Sequence, residues 1–200
     1  MIVQKDRKKQ LLWYPMRVTY GREERMTRVK EQLEASGVEC FMPYRCEFQK
    51  TNDWNVKKVL TPAIQGLIFV HATQENITDL KMTRREFETI HYMTNLFARG
   101  EDDKILVVPD RQMTNFMKVA SMQDGRVVFL DYTDFIAEPG KRVRVSQGDF
   151  VGSIGTIKRI KKNQCVVVQI EGVSAVAIAF VPPAWLEEIT EEEYRQYMTS

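Results

Sequence analysis

Gly140-Lys-Arg-Val-Arg-Val-Ser-Gln-Gly148-Asp-Phe-Val-Gly152-Ser-Ile-Gly155-Thr-Ile157, followed by Cys165-Val-Val-Val-Gln-Ile170-Glu-Gly172, is the stretch on which the fold of this chain turns. Val143 and Val145 alternate with Arg142 and Arg144, the pattern of a half-buried strand. Gly148, Gly152 and Gly155 then bend the chain, because glycine takes positive φ without steric cost. Ile157 and Ile160 suit a second strand, Val166, Val168 and Ile170 a third, and Ala177, Ile178 and Phe180 a fourth. Short strands separated by glycine or charged turns describe a small, strongly bent β-barrel. Its β-branched residues favour strand over helix in the free protein. A phosphate loop is the blander reading of the same glycines, but the Lys-Ser or Lys-Thr it needs does not follow Gly155. A dinucleotide fingerprint would need a helix after the third glycine, where strand residues stand instead.

Outside this stretch the composition is that of a soluble globular protein: 44% hydrophobic and 28% charged over 200 residues, enough for one or two domains. No apolar run approaches the roughly 18 residues of a membrane span, and Met1 to Gln10 is basic without an apolar signal core. The expectation is a cytoplasmic protein with no membrane partner. Cys40, Cys46 and Cys165 are odd in number and lack metal-site spacing, which suits reduced thiols. A net charge of +2 excludes a general polyanion binder. Positive charge is nevertheless clustered: Lys5, Arg7, Lys8 and Lys9 in the tail, Lys57 and Lys58 mid-chain, and Lys158, Arg159, Lys161 and Lys162 on the predicted barrel hairpin. The last group is the candidate nucleic-acid contact, with a solvated turn as the plainer alternative.

The region before the barrel reads as strand, helix, strands, helix, strands, helix, an α+β sandwich on a mainly antiparallel sheet. Tyr14, Met16, Val18 and Tyr20 fall on one face of a first strand, with Pro15 implying an edge or a bulge. Met26, Val29 and Leu33 set the apolar face of a helix from about 22 to 35, stopped by Gly37; its many charges read as a solvated face. Residues 38–48 read as a strand, 49–57 as a polar hairpin tip, and 59–71 as a strand ending in Gly66-Leu-Ile-Phe-Val70. Thr73 opens a second helix, residues 89–97 and 105–108 read as strands, and Pro109-Asp110 starts a third helix with Met113, Phe116, Met117 and Ala120 on one face. Domain boundaries follow: 12–122, a linker 123–138 with Val127–Leu130 as a possible strand, the barrel 139–189, and a helix 190–200 opened by a Thr190/Glu193 capping box.

With both regions laid out, the chain resembles the NusG family of transcription elongation factors, from residue 13 to 189. Trp13-Tyr14 begins the family's N-terminal (NGN) domain, Pro62-Ala-Ile-Gln-Gly66-Leu-Ile-Phe69-Val70 stands where the family has a Pro-Gly-Tyr-Val-Phe-Val-type strand, and the barrel matches a KOW module. Gly148, Phe150, Gly152 and Gly155 carry that module's motif. The resemblance implies an NGN-type sandwich, an SH3-like KOW barrel and a short C-terminal helix. Arg17–Glu23 and Ala177–Pro182 look closer to specialised paralogues, the UpxY-like antiterminators of polysaccharide operons, with RfaH more distant. Gln65 replaces the usual Pro and Leu67 a common aromatic. The resemblance implies binding to the clamp helices of RNA polymerase around Ile64, Leu67 and Phe69, with core packing as the alternative for the same residues. It also implies nascent RNA or non-template DNA, and a ribosomal protein or Rho at the KOW domain, as further partners.

No catalytic constellation stands out. His71 and His91 have no Ser or Cys partner at motif spacing, there is no His-Cys metal cluster, and no cofactor is implied. The expectation is a non-enzymatic elongation and antitermination factor, against a housekeeping NusG, an RNA-binding or ribosome-associated KOW protein, and, more remotely, an enzyme acting on nucleic acid.

Overall fold

The computed structural model describes residues 8–50, 55–95, 104–130, 140–160 and 162–199. Packing divides the chain into two units, Met1–Val108 and Pro109–Ser200.

In the first unit, strands β1 (Leu12–Val18), β2 (Glu39–Phe41), β5 (Leu67–Ala72) and β6 (Ile90–Tyr92) form an antiparallel sheet in the order β2-β5-β1-β6. Helices α1 (Glu23–Ala35) and α2 (Gln74–Thr83) cover it, and β3 (Tyr44–Lys50) with β4 (Val56–Pro62) makes a separate two-stranded ribbon. The helix-facing core joins Tyr14, Met16 and Val18 of β1 and Ile68 and Val70 of β5 to Met26, Val29, Leu33 and Ile77. Each such buried aliphatic side chain contributes about 1.5–3 kcal/mol. Thr73 caps α2, its Oγ1 accepting from Asn76 N–H at 3.0 Å.

Several expectations need correcting. Pro15 lies in the sheet's interior, not at an edge. Its carbonyl accepts from Met93 N–H, which puts its missing donor on the β6 side, where the β6 ladder has already ended at Met16–Tyr92. The strand expected over 38–48 breaks after Phe41, at Met42-Pro43, so that the chain leaves the sheet to form the ribbon. The strand at 89–97 shortens to β6 behind a 3₁₀ turn at Arg85–Thr89, and 105–108 supplies only bridges at Ile105 and Val108. Phe97 and the hairpin tip Asn52–Trp54 lie outside the described residues.

The second unit contains α3 (Asp110–Ala120), β7 (Val127–Leu130), β8 (Arg142–Val145), β9 (Ile154–Ile160), β10 (Asn163–Ile170), β11 (Ser174–Ala179), β12 (Leu186–Glu188) and α4 (Glu191–Thr199). The strands form one antiparallel sheet, β12-β8-β9-β10-β11-β7. The α+β class, the strand-built barrel module and the terminal helix are all present, as expected. Val127–Leu130 pairs with β11 as an edge strand, and α3 packs across β7, β10 and β11.

Register sets out one face of this sheet. Arg142, Thr156, Val167, Ala177 and Val128 stand side by side in one row across five strands. The row grades from charged to small and apolar, and Ala175, Ala177 and Ala179 join Cys165, Val167 and Leu130 in a buried cluster. Asn115 then does what a strand would do. The ladder between β9 and β10 stops at Thr156–Val167, leaving the peptide groups of Ile154 without a strand partner on that side. Asn115 Nδ2 donates to the Ile154 carbonyl at 2.7 Å, and its Oδ1 accepts from Ile154 N–H at 3.1 Å. The terminal helix adds Tyr197 Oη donating to the Arg111 carbonyl and buries Tyr194 beside Ile154 and Ile189.

Gly148 and Gly152 have the positive φ expected of them, 79° and 82°. Gly155 does not. It lies inside β9, where a Cβ would meet the Val167 carbonyl oxygen at 2.5 Å, so close strand approach, not a bend, requires glycine there.

Two outcomes follow. Asn115→Ala leaves two buried peptide groups unpaired, which costs about 2–4 kcal/mol and should show in hydrogen exchange as lost protection of 110–120 and Ile154. In the capping box, Thr190 N–H and Oγ1 both donate to Glu193 Oε2, at 2.7 and 2.8 Å, and hold its carboxyl below the usual carboxylate range. A depressed folded pKa stabilises above the unfolded value and is lost as pH falls through the folded one. Exchange protection of α4 should therefore fall on acidification, and Glu193→Gln should remove that part of the pH dependence.

Candidate functional site

A concavity of about 570 Å³ in the first unit opens where β1 hands over to α1, and it is lined by Tyr20, Arg22, Arg25, Arg28 and Arg85. Val18 N–H donates to Gly66 at 2.9 Å and Thr19 N–H to Thr89 at 2.8 Å, which pins the end of the strand. Gly21 follows at a point where a Cβ would meet Gly66 Cα at 2.6 Å. Between these fixed points Tyr20 makes the reversal, with φ of 53°. A bulky residue rarely adopts that region, which costs about 1–2 kcal/mol. No burial offsets the strain: Tyr20 is 81% exposed.

Arg25 sits 5.9 Å from the centre of the Tyr20 ring and donates from Nη1 to the Thr19 carbonyl at 3.3 Å. Arg22, Arg25 and Arg28 recur every three residues, so they line one face of α1 and its entry, and Arg85 joins them from the 3₁₀ turn. Glu24 and Glu86 also line the cleft, but among the described residues none of the four arginines is within ion-pair distance of a carboxylate. An exposed aromatic ring among unpaired guanidinium groups can stack a planar base and hold phosphate oxygens. Sequence reasoning missed this site because it took Tyr20 as a strand residue on the core face and the charges of α1 as solvated. The signal was present in Tyr20-Gly-Arg22 and in the three-residue spacing of the arginines.

The residues singled out from the sequence are placed as follows. Alternation separates Leu67 and Phe69 from the core face that holds Ile68 and Val70, yet Leu67 and Phe69 are 0% exposed. Phe69 lies 6.4 Å from the Phe41 ring on that side, near Trp13, which stacks on His71 at 4.6 Å. Ile64 is half-buried in the turn before β5. In the barrel, Gly148 lies under the Trp185 ring, and Phe150 is buried with the Arg126 guanidinium 5.0 Å from its ring centre. Lys158 and Arg159 are successive on β9 and so point to opposite sides of the sheet. Lys158 is half-buried, and desolvation, followed by the nearby Arg142, lowers its pKa. Lys162 stands exposed at positive φ, and Lys161 lies outside the described residues. Lys158 and Arg159 therefore do not share a face. Among the described residues no helix is long and apolar enough to cross a membrane.

Comparison with known proteins adds the family. The model described as "Transcription termination factor nusG" matches residues 11–117, and the "KOW motif" model matches residues 139–171. No curated protein matches the chain. Among solved structures, one described as "Domain interaction in Thermotoga maritima NusG" is 18% identical, with 92% of this chain and 99% of that chain covered and a TM-score of 0.42. Since the first model alone spans more than half of the 200 residues, the chain belongs to the NusG family and carries its N-terminal domain followed by a KOW motif.

Proposed function

We propose that this protein is a specialised transcription elongation and antitermination factor. It binds RNA polymerase through its first unit, suppresses pausing or termination on long operons such as polysaccharide loci, and touches nucleic acid with the Tyr20 cleft. The observation that carries the reading is the succession of a NusG match and a KOW match in one chain. The cleft supports the choice of ligand, because strain held at a solvent-exposed aromatic suggests a bound partner rather than packing. A ligand shifts an equilibrium only by its differential affinity for the two states. A factor that binds the closed, elongating polymerase tenfold better than the paused form thus disfavours pausing by about 1.4 kcal/mol.

The polymerase contact belongs to this proposal without being assigned to Leu67 and Phe69. Both are buried, so a charge at either position reports on folding before it reports on binding. The KOW barrel is left for a second partner, a ribosomal protein or Rho.

Tagged protein should co-purify with RNA polymerase, and mapping its occupancy should place it on a few long operons. Occupancy across most genes would indicate a housekeeping factor, and absence of polymerase would sink the proposal. Tyr20→Asn tests the cleft by a pair of opposed effects. Asn tolerates left-handed backbone, so thermal stability should rise by up to about 1 kcal/mol, while affinity for a single-stranded oligonucleotide falls through loss of about 1–3 kcal/mol of stacking. Neutralising Arg25 and Arg28 together should lower the salt slope of that binding by about 1.4.

A further inference from the structure

The ribbon formed by β3 and β4 carries a face that the fold leaves in water. Register pairs Phe48 with Lys58, Lys50 with Val56, and Cys46 with Leu60, so these six side chains share one face. Phe48 is 74% exposed, Val56 60% and Leu60 45%. A two-stranded ribbon is marginal by itself in water, and exposing three large apolar side chains on it brings no folding gain. Among the described residues the face also has no carboxylate. Glu47 lies on the opposite face, where it pairs with Arg45 at 2.7 Å, and among the described residues Lys50 and Lys58 have no ion-pair partner.

An aromatic ring with one ammonium directly across the ladder and a second two residues along the strand is a stacking platform between two phosphate contacts. The buried centre of a protein interface would be poorly matched, because lysine is depleted there while its charge must be desolvated. We propose that this face, separate from the Tyr20 cleft, binds single-stranded nucleic acid, with Phe48 stacking a base and Lys50 and Lys58 meeting the backbone. The proposal stands on the ribbon alone and does not depend on the cleft.

The test is fluorescence anisotropy of a labelled 12-nucleotide oligothymidine with the intact chain, repeated in a Tyr20→Ala background. Phe48→Ala should weaken binding about tenfold in both backgrounds, within the range for loss of one stacked base. Phe48→Tyr, which keeps the ring, should bind as the unaltered chain does. Lys50→Gln with Lys58→Gln should lower the salt slope by about 1.4. Absence of oligonucleotide binding by the unaltered chain, or unchanged binding by Phe48→Ala and the double lysine variant, overturns the proposal. So does full binding by Phe48→Leu, since an aliphatic side chain that suffices means an apolar contact, as a protein partner would make. If the Tyr20 cleft is wrong, Tyr20→Ala changes nothing while the Phe48 effect persists, so the two failures are distinguishable.

Discussion

The first unit depends on the contact of two glycine backbones. Gly21 approaches Gly66 so closely that a single added carbon would overlap Gly66 Cα, and Gly66 itself has φ of 72°. The approach lets the start of α1 sit over the start of β5, where Gly66 N–H points at Met26 Sδ at 3.0 Å. It also fixes the geometry of what lies between. With Val18 and Thr19 held by hydrogen bonds and Gly21 held by packing, Tyr20 is the residue left to reverse the chain. Its strain follows from the fold, and its identity does not. Glycine or asparagine would make the same turn at lower cost, so an exposed tyrosine at this position is best explained by what its ring meets.

The second unit solves a different problem. A small barrel of short strands buries little area, and here its outer face is not left to solvent. β11 is buried along its whole length, on both faces, as in a sheet covered from both sides. Alanines at alternate positions fill one buried face of β11, and Asn115 closes the interrupted ladder at Ile154. The same amide both donates and accepts, so neither Ile154 group is stranded. A leucine at that position would pack, but would leave two peptide groups unsatisfied.

The divide between what could and could not be read in the sequence runs along a physical line. Period-two and period-3.6 patterns tell which face of an element is apolar, and those faces were correct: Met26, Val29 and Leu33 on α1, Val143 and Val145 on β8, Phe116 and Ala120 on α3. Periodicity does not tell which surface the face meets. The apolar residues of α3 were legible, but not that the helix lies against β7, β10 and β11. The capping box and the positive φ of Gly148 and Gly152 were legible because their chemistry is local. Gly155 was misread because its reason, the Val167 backbone, lies twelve residues away across a ladder. Lys158 and Arg159 of the barrel hairpin are neighbours in sequence but lie on opposite faces of the sheet, because adjacent strand residues face opposite ways. The arginines of α1, spaced in sequence, converge because helix geometry brings every third residue round to the same side.

Charge then sets how such a surface works. With a net charge of +2 the chain has no long-range field to draw it onto nucleic acid, so any contact must be local. Four arginines meeting a single strand give a salt slope of about 3, which means an affinity loss on the order of 50-fold between 50 and 200 mM salt. Binding that fragile cannot localise a protein by itself. On the proposed reading it does not need to, because a factor held on the polymerase meets the emerging strand as an intramolecular event, at an effective concentration that reaches millimolar for short tethers. Under those conditions a weak contact becomes a selective one. On that reading it would add residence time only where the strand presents bases that suit Tyr20, and would release when they pass. On the same reading, tight binding in the cleft would oppose translocation at every step, and a few arginines around one strained ring would suit a processive partner.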